Sequence, residues 1–264
     1  MKNIFQMLLD EKSALTDEQV VGLLNAAGDH RLVLVCEHAS NWVPPTFRDL
    51  GLNGNALASH AAWDPGAFGV AEKLSQSLDA PLVFGRVSRL VYDCNRPPEA
   101  NDAILPVTEA FPVPGNTDLT AEQQAERIEA VYMPFQRMLE KTVAKAPAEA
   151  ALVTVHSFTP VYYGQQRTTE IGILHGEDPS LAHAMMAVAD SYTGHCVRLN
   201  DPYGPQDGVS HTLNLHGCRN GLANVMIEIR NDLIETPLRQ SAVADVLSGW
   251  LQQAIADLRS EAQS

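Results

Sequence analysis

Leu32-Val33-Leu34-Val35-Cys36 runs straight into Glu37-His38-Ala39-Ser40-Asn41, and this junction decides how the chain is read. An apolar run without polar alternation is what a strand covered on both faces requires. The carboxylate and imidazole that follow at once then sit at the strand's carboxyl end. Working outward, the pattern returns twice. Leu152-Val153-Thr154-Val155 ends in His156-Ser157, and Val225-Met226-Ile227-Glu228-Ile229-Arg230 holds a carboxylate inside an apolar strand. Arg230 follows Glu228 by two positions and shares its face. Leu82–Phe84, Leu90–Tyr92, Ile171–Leu174 and Val197–Leu199 are further candidate strands.

Helix signals fall between these runs. Thr16 with Gln19 and Thr120 with Gln123 have the spacing of a capping box, and the second opens a stripe of Ile128, Val131, Phe135 and Met138 at helical period. Asp64-Pro65, Asp178-Pro179 and Thr236-Pro237 each put a capping side chain before a proline suited to the first helical turn. Asp64 is thus expected to cap a helix bearing Val70, Leu74 and Leu78, and Thr236 to open one carrying Val246, Trp250 and Leu258. Strands alternating with helices imply an α/β architecture whose function lies in loops at the strands' carboxyl ends. Asn95 to Asp118, with Pro97, Pro98, Pro106, Pro112 and Pro114, is expected to be a long loop.

The chain has 264 residues, 45% of them hydrophobic, enough for a substantial core without a disulfide scaffold. Eighteen Lys and Arg stand against 32 Asp and Glu, a net charge of −14, so the average field repels nucleic acid and anionic membranes. The cysteines, Cys36, Cys94, Cys196 and Cys218, are scattered without a CxxC pair, and no apolar run approaches the ~20 residues of a membrane span. A globular cytoplasmic protein folding as one domain over residues 1–264 is the expectation.

Two imidazoles and a carboxylate near one sheet edge, His38, His156 and Glu228, are the groups a catalytic zinc site uses. Each has a plainer reading: a strand-end histidine hydrogen-bonds for many reasons, Glu228 with Arg230 makes a structural ion pair, and Cys36 packs in the core rather than acting as a nucleophile. Arg86, Arg89 and Arg96, close together in an acidic chain, suit a carboxylate substrate better than solvated charge.

With these residues in view, the sequence resembles the N-formylglutamate amidohydrolase family. The resemblance rests on Cys36-Glu37-His38-Ala39-Ser40-Asn41, Trp63-Asp64-Pro65-Gly66-Ala67, the stretch from Ser88 to Pro97, Val155-His156-Ser157-Phe158 and Ile227-Glu228-Ile229-Arg230-Asn231-Asp232, spread over roughly residues 30–235. That family is similar in turn to the zinc carboxypeptidases and to the aspartoacylase and succinylglutamate desuccinylase group. The resemblance implies a mixed, mostly parallel central sheet with helices on both faces.

It also implies roles. His38 and His156 would hold a divalent metal, zinc first; Glu228 would be the general base; Asn95 and Arg96, with Arg89, Ser157 and His216, would bind substrate. Arg230 would bind the substrate carboxylate, steady the oxyanion or simply orient Glu228. The wider pattern has Glu three residues after the first histidine, where this chain has Asn41, so Asp64 is the first candidate for third metal ligand and Glu37 the second. His211 and His216 lie in a glycine-bounded loop placed near the site. The implied reaction is hydrolysis of a small anionic N-acyl amino acid, N-formyl-L-glutamate to formate and glutamate, in amino-acid catabolism. A metallo-carboxypeptidase or deacylase with another acyl or peptide substrate, and a non-catalytic metal-binding protein, are the alternatives.

Overall fold

The computed structural model describes residues 15–261. A seven-stranded sheet runs through it in the order β1 (Val21–Leu24), β3 (Leu82–Gly85), β2 (Leu32–Cys36), β4 (Ala151–Phe158), β9 (Ala223–Arg230), β7 (Ile171–Leu174), β8 (Val197–Leu199). β3, β2, β4 and β9 form a parallel block; β1 pairs antiparallel with β3 at one edge, and β7 runs antiparallel to β9 while parallel to β8. A separate two-residue hairpin, β5 (Val161–Tyr162) with β6 (Gln165–Gln166), follows β4. The sheet is therefore mixed and mostly parallel, with helices on both faces.

The apolar run Leu32–Cys36 is buried throughout because its residues alternate between two cores. Leu32, Leu34 and Cys36 join Val153, Val155, Val225, Ile227 and Ile229 under the helices Ala67–Ser77, Ser180–Val188 and Pro237–Glu261. Val33, Val35, Val83 and Leu152 face the other way, onto Phe135 and Leu139 of the Met133–Val143 helix and onto Leu90, Val91 and Tyr92. Trp250 is fully buried in the first core and its indole N–H donates to the Met185 carbonyl at 2.7 Å. Trp250→Ala should therefore cost about 3–5 kcal/mol of stability, read as a lower urea midpoint, because it leaves both a cavity and an unpaired carbonyl.

Leu90–Tyr92 is not a strand. Ser88 hydrogen-bonds the Ala62 carbonyl and the Leu90 N–H, and Val91 N–H returns to the Ser88 carbonyl, so a turn carries these three residues into the core. Their apolarity reports burial, which a turn satisfies equally well. β1 lacked a sequence signal: it is four residues long and contains Gly22, whose missing side chain leaves room for the Phe84 ring across the pair. Among the described residues, no helix is long and apolar enough to cross a membrane.

Candidate active site

Parallel pairing of β4 and β9 sets His156 directly beside Glu228. Val155 in β4 and Ile227 and Ile229 in β9 point into the first core, so strand alternation projects His156 and Glu228 together from the opposite face, near the strands' carboxyl ends. β2 ends one strand away, and Glu37 and His38 follow it. His38 is tied to the segment that leads into the Ala67–Ser77 helix through its carbonyl, which accepts the Asp64 N–H at 3.0 Å.

Asp64 does not cap the helix that follows. That helix starts at Ala67 with Gly66 as its N-cap in the left-handed region at φ 83°, where a side chain would also strike the Ile234 carbonyl. The Asp64 backbone carbonyl accepts the Ala67 N–H, and this frees the carboxylate to turn inward. Its Oδ2 lies 2.9 Å from His156 Nδ1 and 3.3 Å from His38 Nδ1, and also accepts the Ser157 N–H at 3.3 Å. The second nitrogen of each imidazole meets another buried carboxylate: His38 Nε2 lies 2.7 Å from Asp93, and His156 Nε2 3.0 Å from Glu37.

This arrangement sets the charges. Burial works against ionised Asp64, but the two imidazoles outweigh it and hold its carboxyl far below the usual range. Burial similarly opposes charge on Asp93 and Glu37, which His38 with Arg89, and His156, respectively pull down. Both histidines are raised: burial favours their neutral forms, yet Asp93 and Asp64 at His38, and Glu37 and Asp64 at His156, prevail. Glu228 behaves oppositely, pushed up to about 7 chiefly by burial, and its Oε2 has no hydrogen-bond partner among the described residues.

His38, Asp64 and His156 each offer one ligand atom within 4.8 Å of the others, a donor set of two imidazoles and a carboxylate that suits zinc. The observed 2.9 and 3.3 Å separations are near the edge of a tetrahedron with zinc-ligand bonds of about 2.0–2.1 Å. Asp93 and Glu37 occupy the positions of the carboxylates that typically steady metal-bound histidines from behind. The residues therefore fit a divalent metal. Of the two candidates for third ligand, the geometry brings Asp64 to the group and leaves Glu37 behind His156.

A cavity of about 500 Å³ opens onto the group and is lined by His38, Asp64, His156, Ser157 and Glu228 and by Arg89, Asn95 and Arg96. Arg89 bonds Asp93 at 2.7 Å and approaches Asp64 at 3.5 Å. Two sequence assignments need correcting. Arg230 lies outside the cavity lining, its guanidinium paired with Asp232 at 2.8 Å and with Glu170 at 3.4 Å, because the strand turns its side chain toward the neighbouring loops. His216 is buried away from the cavity with Nε2 at 2.5 Å from Gln136, and His211 bonds the Tyr132 hydroxyl instead. The sequence reading assigned no role to Asp93, Arg167, Tyr162 or Tyr203, although Asp93 stands within the quoted Ser88 to Pro97 stretch.

Against known proteins, the profile of the N-formylglutamate amidohydrolase family matches residues 30–235, a span that contains His38, Asp64, His156 and Glu228. The chain belongs to the N-formylglutamate amidohydrolase family. Membership places it among hydrolases of N-acyl amino acids. A solved gene product from Agrobacterium tumefaciens is similar to this family member at 47% identity over 93% of this chain and 99% of that one, with a TM-score of 0.89. An N-formylglutamate amidohydrolase from Ralstonia eutropha shares the fold at 17% identity, covering 92% of this chain and 99% of that one, with a TM-score of 0.61. A metallo-carboxypeptidase from Burkholderia cenocepacia superposes more distantly, at 12% identity over 97% of this chain and 68% of that one, with a TM-score of 0.40. A search of curated proteins finds no match to this N-formylglutamate amidohydrolase family chain.

Proposed function

We propose that the protein is a zinc-dependent amidohydrolase that cleaves the amide bond of a small anionic N-acyl amino acid, N-formyl-L-glutamate first, to release formate and glutamate. The observation that carries this reading is the unpartnered Glu228 Oε2 beside the His38, Asp64 and His156 group on one cavity wall. His38, Asp64 and His156 would hold a divalent ion, which when bound would supply Lewis-acid charge to polarise a carbonyl and make water more acidic. Glu228 takes a proton from the attacking water at Oε2 and returns it to the leaving amine nitrogen. A carboxyl pushed up to about 7 is matched to that exchange near neutral pH. Asp93 and Glu37 fix the ring orientations of His38 and His156, so that both Nδ1 atoms face Asp64. Arg89, half-buried between Asp64 and Asp93 and lining the cavity, contributes a fixed positive charge for the oxyanion that forms on the acyl oxygen. The membership of the family and the size of the cavity support a substrate of amino-acid dimensions.

A panel of N-formyl-, N-acetyl- and N-succinyl-L-glutamate, with formate and free glutamate measured separately, tests this. Formate release from the formyl substrate, exceeding turnover of the other two, is the expected result. Preference for the acetyl or succinyl compound would move the acyl assignment, and no turnover of any would contradict the proposal.

A further inference from the structure

The cavity holds more arginine than its chemistry near Glu228 needs, and a donor inventory separates the arginines. Arg96 gives Nε to Asp102 at 2.7 Å, Nη1 to the carbonyls of Asn95 and Gly208, and Nη2 to the Asp207 carbonyl. Four of the five guanidinium donors are thereby engaged within the protein, and Asp102 balances the charge. Asn95 is engaged too: Nδ2 donates to the Val209 carbonyl at 2.6 Å and Oδ1 accepts the Thr212 N–H at 3.0 Å. The pair clamps residues 207–212 onto the long loop. Arg89 is matched by Asp93 and Asp64.

Arg167 differs. It lines the same cavity, yet among the described residues no carboxylate lies within ion-pair distance of it, and the hydrogen bond made by its guanidinium to a carbonyl, that of Thr159, is long at 3.4 Å. Three aromatic rings hold it instead, with Cζ at 4.4 Å from the Tyr162 ring, 4.9 Å from Tyr203 and 5.4 Å from Phe158. Rings contact the face of a guanidinium, and beyond the Thr159 carbonyl and a hydrogen bond with the Tyr203 hydroxyl the rest of its N–H edge is left for a ligand. Tyr203, Arg167 and Glu228 line the same cavity, so the cation faces the space into which the base opens. A cation preorganised on aromatic faces, lacking an anion in a protein of net charge −14, is built to receive one from outside.

We propose that Arg167 binds the carboxylate of the substrate through its N–H edge and is the main source of preference for anionic N-acyl amino acids, while Asn95 and Arg96 brace the cavity wall. This rests on the N-acyl amino acid reading above. It is a binding role, so Arg167 acts on affinity and leaves the proton transfers at Glu228 in place.

The test uses the metal-loaded protein and two probes, glutarate and its neutral isostere glutaramide, titrated calorimetrically into wild type, Arg167→Met and Arg167→Lys. Met keeps an unbranched apolar stem against the rings, and Lys keeps the charge without the fork. Arg167→Met should bind glutarate about 10- to 100-fold more weakly, the worth of a charge-assisted hydrogen-bonded pair, with glutaramide unchanged and Lys intermediate. In turnover the same variant should raise KM for N-formyl-L-glutamate by a similar factor and leave kcat near wild type. Wild type that does not distinguish glutarate from glutaramide, or an Arg167→Met protein that still does, overturns the assignment; if Met does not fold, full discrimination by Lys does so. Should the glutarate result hold while no N-acyl amino acid is hydrolysed, the functional reading fails and the anion site stands; formate release with discrimination intact in the variant fails the anion site alone.

Discussion

A Glu228→Gln protein is expected to fold, bind its metal and lose about 10²- to 10⁴-fold in kcat, the usual contribution of a positioned acid-base group. Gln keeps the shape of Glu but accepts no proton, so the water would lose its base and the leaving nitrogen its acid. Stability should not suffer. Burial is what raises the Glu228 carboxyl, which means that the folded protein resists charge at this position, and a neutral amide relieves that resistance. The ligand group should stay assembled because His38 and His156 take their orientation from Asp64, Asp93 and Glu37 rather than from Glu228. Steady-state kinetics on N-formyl-L-glutamate, beside a thermal melt, reads both halves of this expectation.

Asp64→Ala should have the second large effect and a different signature. Asp64 Oδ2 is where both imidazoles, the Ser157 N–H and the proposed metal converge. Removing it deletes one ligand and also leaves two buried imidazoles without their common acceptor. Metal affinity should fall by more than about 100-fold, beyond the loss that removal of a supporting carboxylate behind a ligand causes. Turnover should fall with it and return only partly at high added metal, whereas the Glu228 variant should not respond to metal at all.

Much of the site was legible because apolar runs ended abruptly in polar residues. Leu32–Cys36 into Glu37-His38 and Leu152–Val155 into His156 mark strand ends whatever the fold's order, and the structure extends the latter strand through His156 to Phe158. Glu228 stood out as a carboxylate in an otherwise apolar strand for the same reason. Its adjacency to His156 was not legible, since that depends on β4 and β9 being neighbours in register, a long-range pairing. Asp64 illustrates how a local rule misleads: Asp-Pro before a helical stripe fits an N-cap, but Gly66 takes the capping position and the carboxylate serves residues 26 and 92 positions away.

The arginines depend on the fold in the same way. Arg96 sits in the family-like stretch and reads as the carboxylate-binding residue, whereas Asp102 and the carbonyls of Asn95, Asp207 and Gly208 engage it in the fold. Arg230 followed Glu228 on the same face, yet Asp232 and Glu170 claim its guanidinium. Arg167 lies in the polar run Gln165-Gln166-Arg167-Thr168-Thr169, which on sequence reads as an unremarked loop; the rings of Phe158, Tyr162 and Tyr203 reach it from separate segments. Charge pattern alone shows where cations are, and only the fold shows which of them already have an anion.

The most direct test of the central claim measures metal per chain by mass spectrometry, beside formate release, in wild type, Glu228→Gln and Asp64→Ala prepared identically. One divalent metal per chain is expected in wild type and in Glu228→Gln, with formate release in wild type alone, and neither metal nor turnover in Asp64→Ala. Stoichiometric metal retained by Asp64→Ala, or full formate release by wild type stripped of metal, would contradict it.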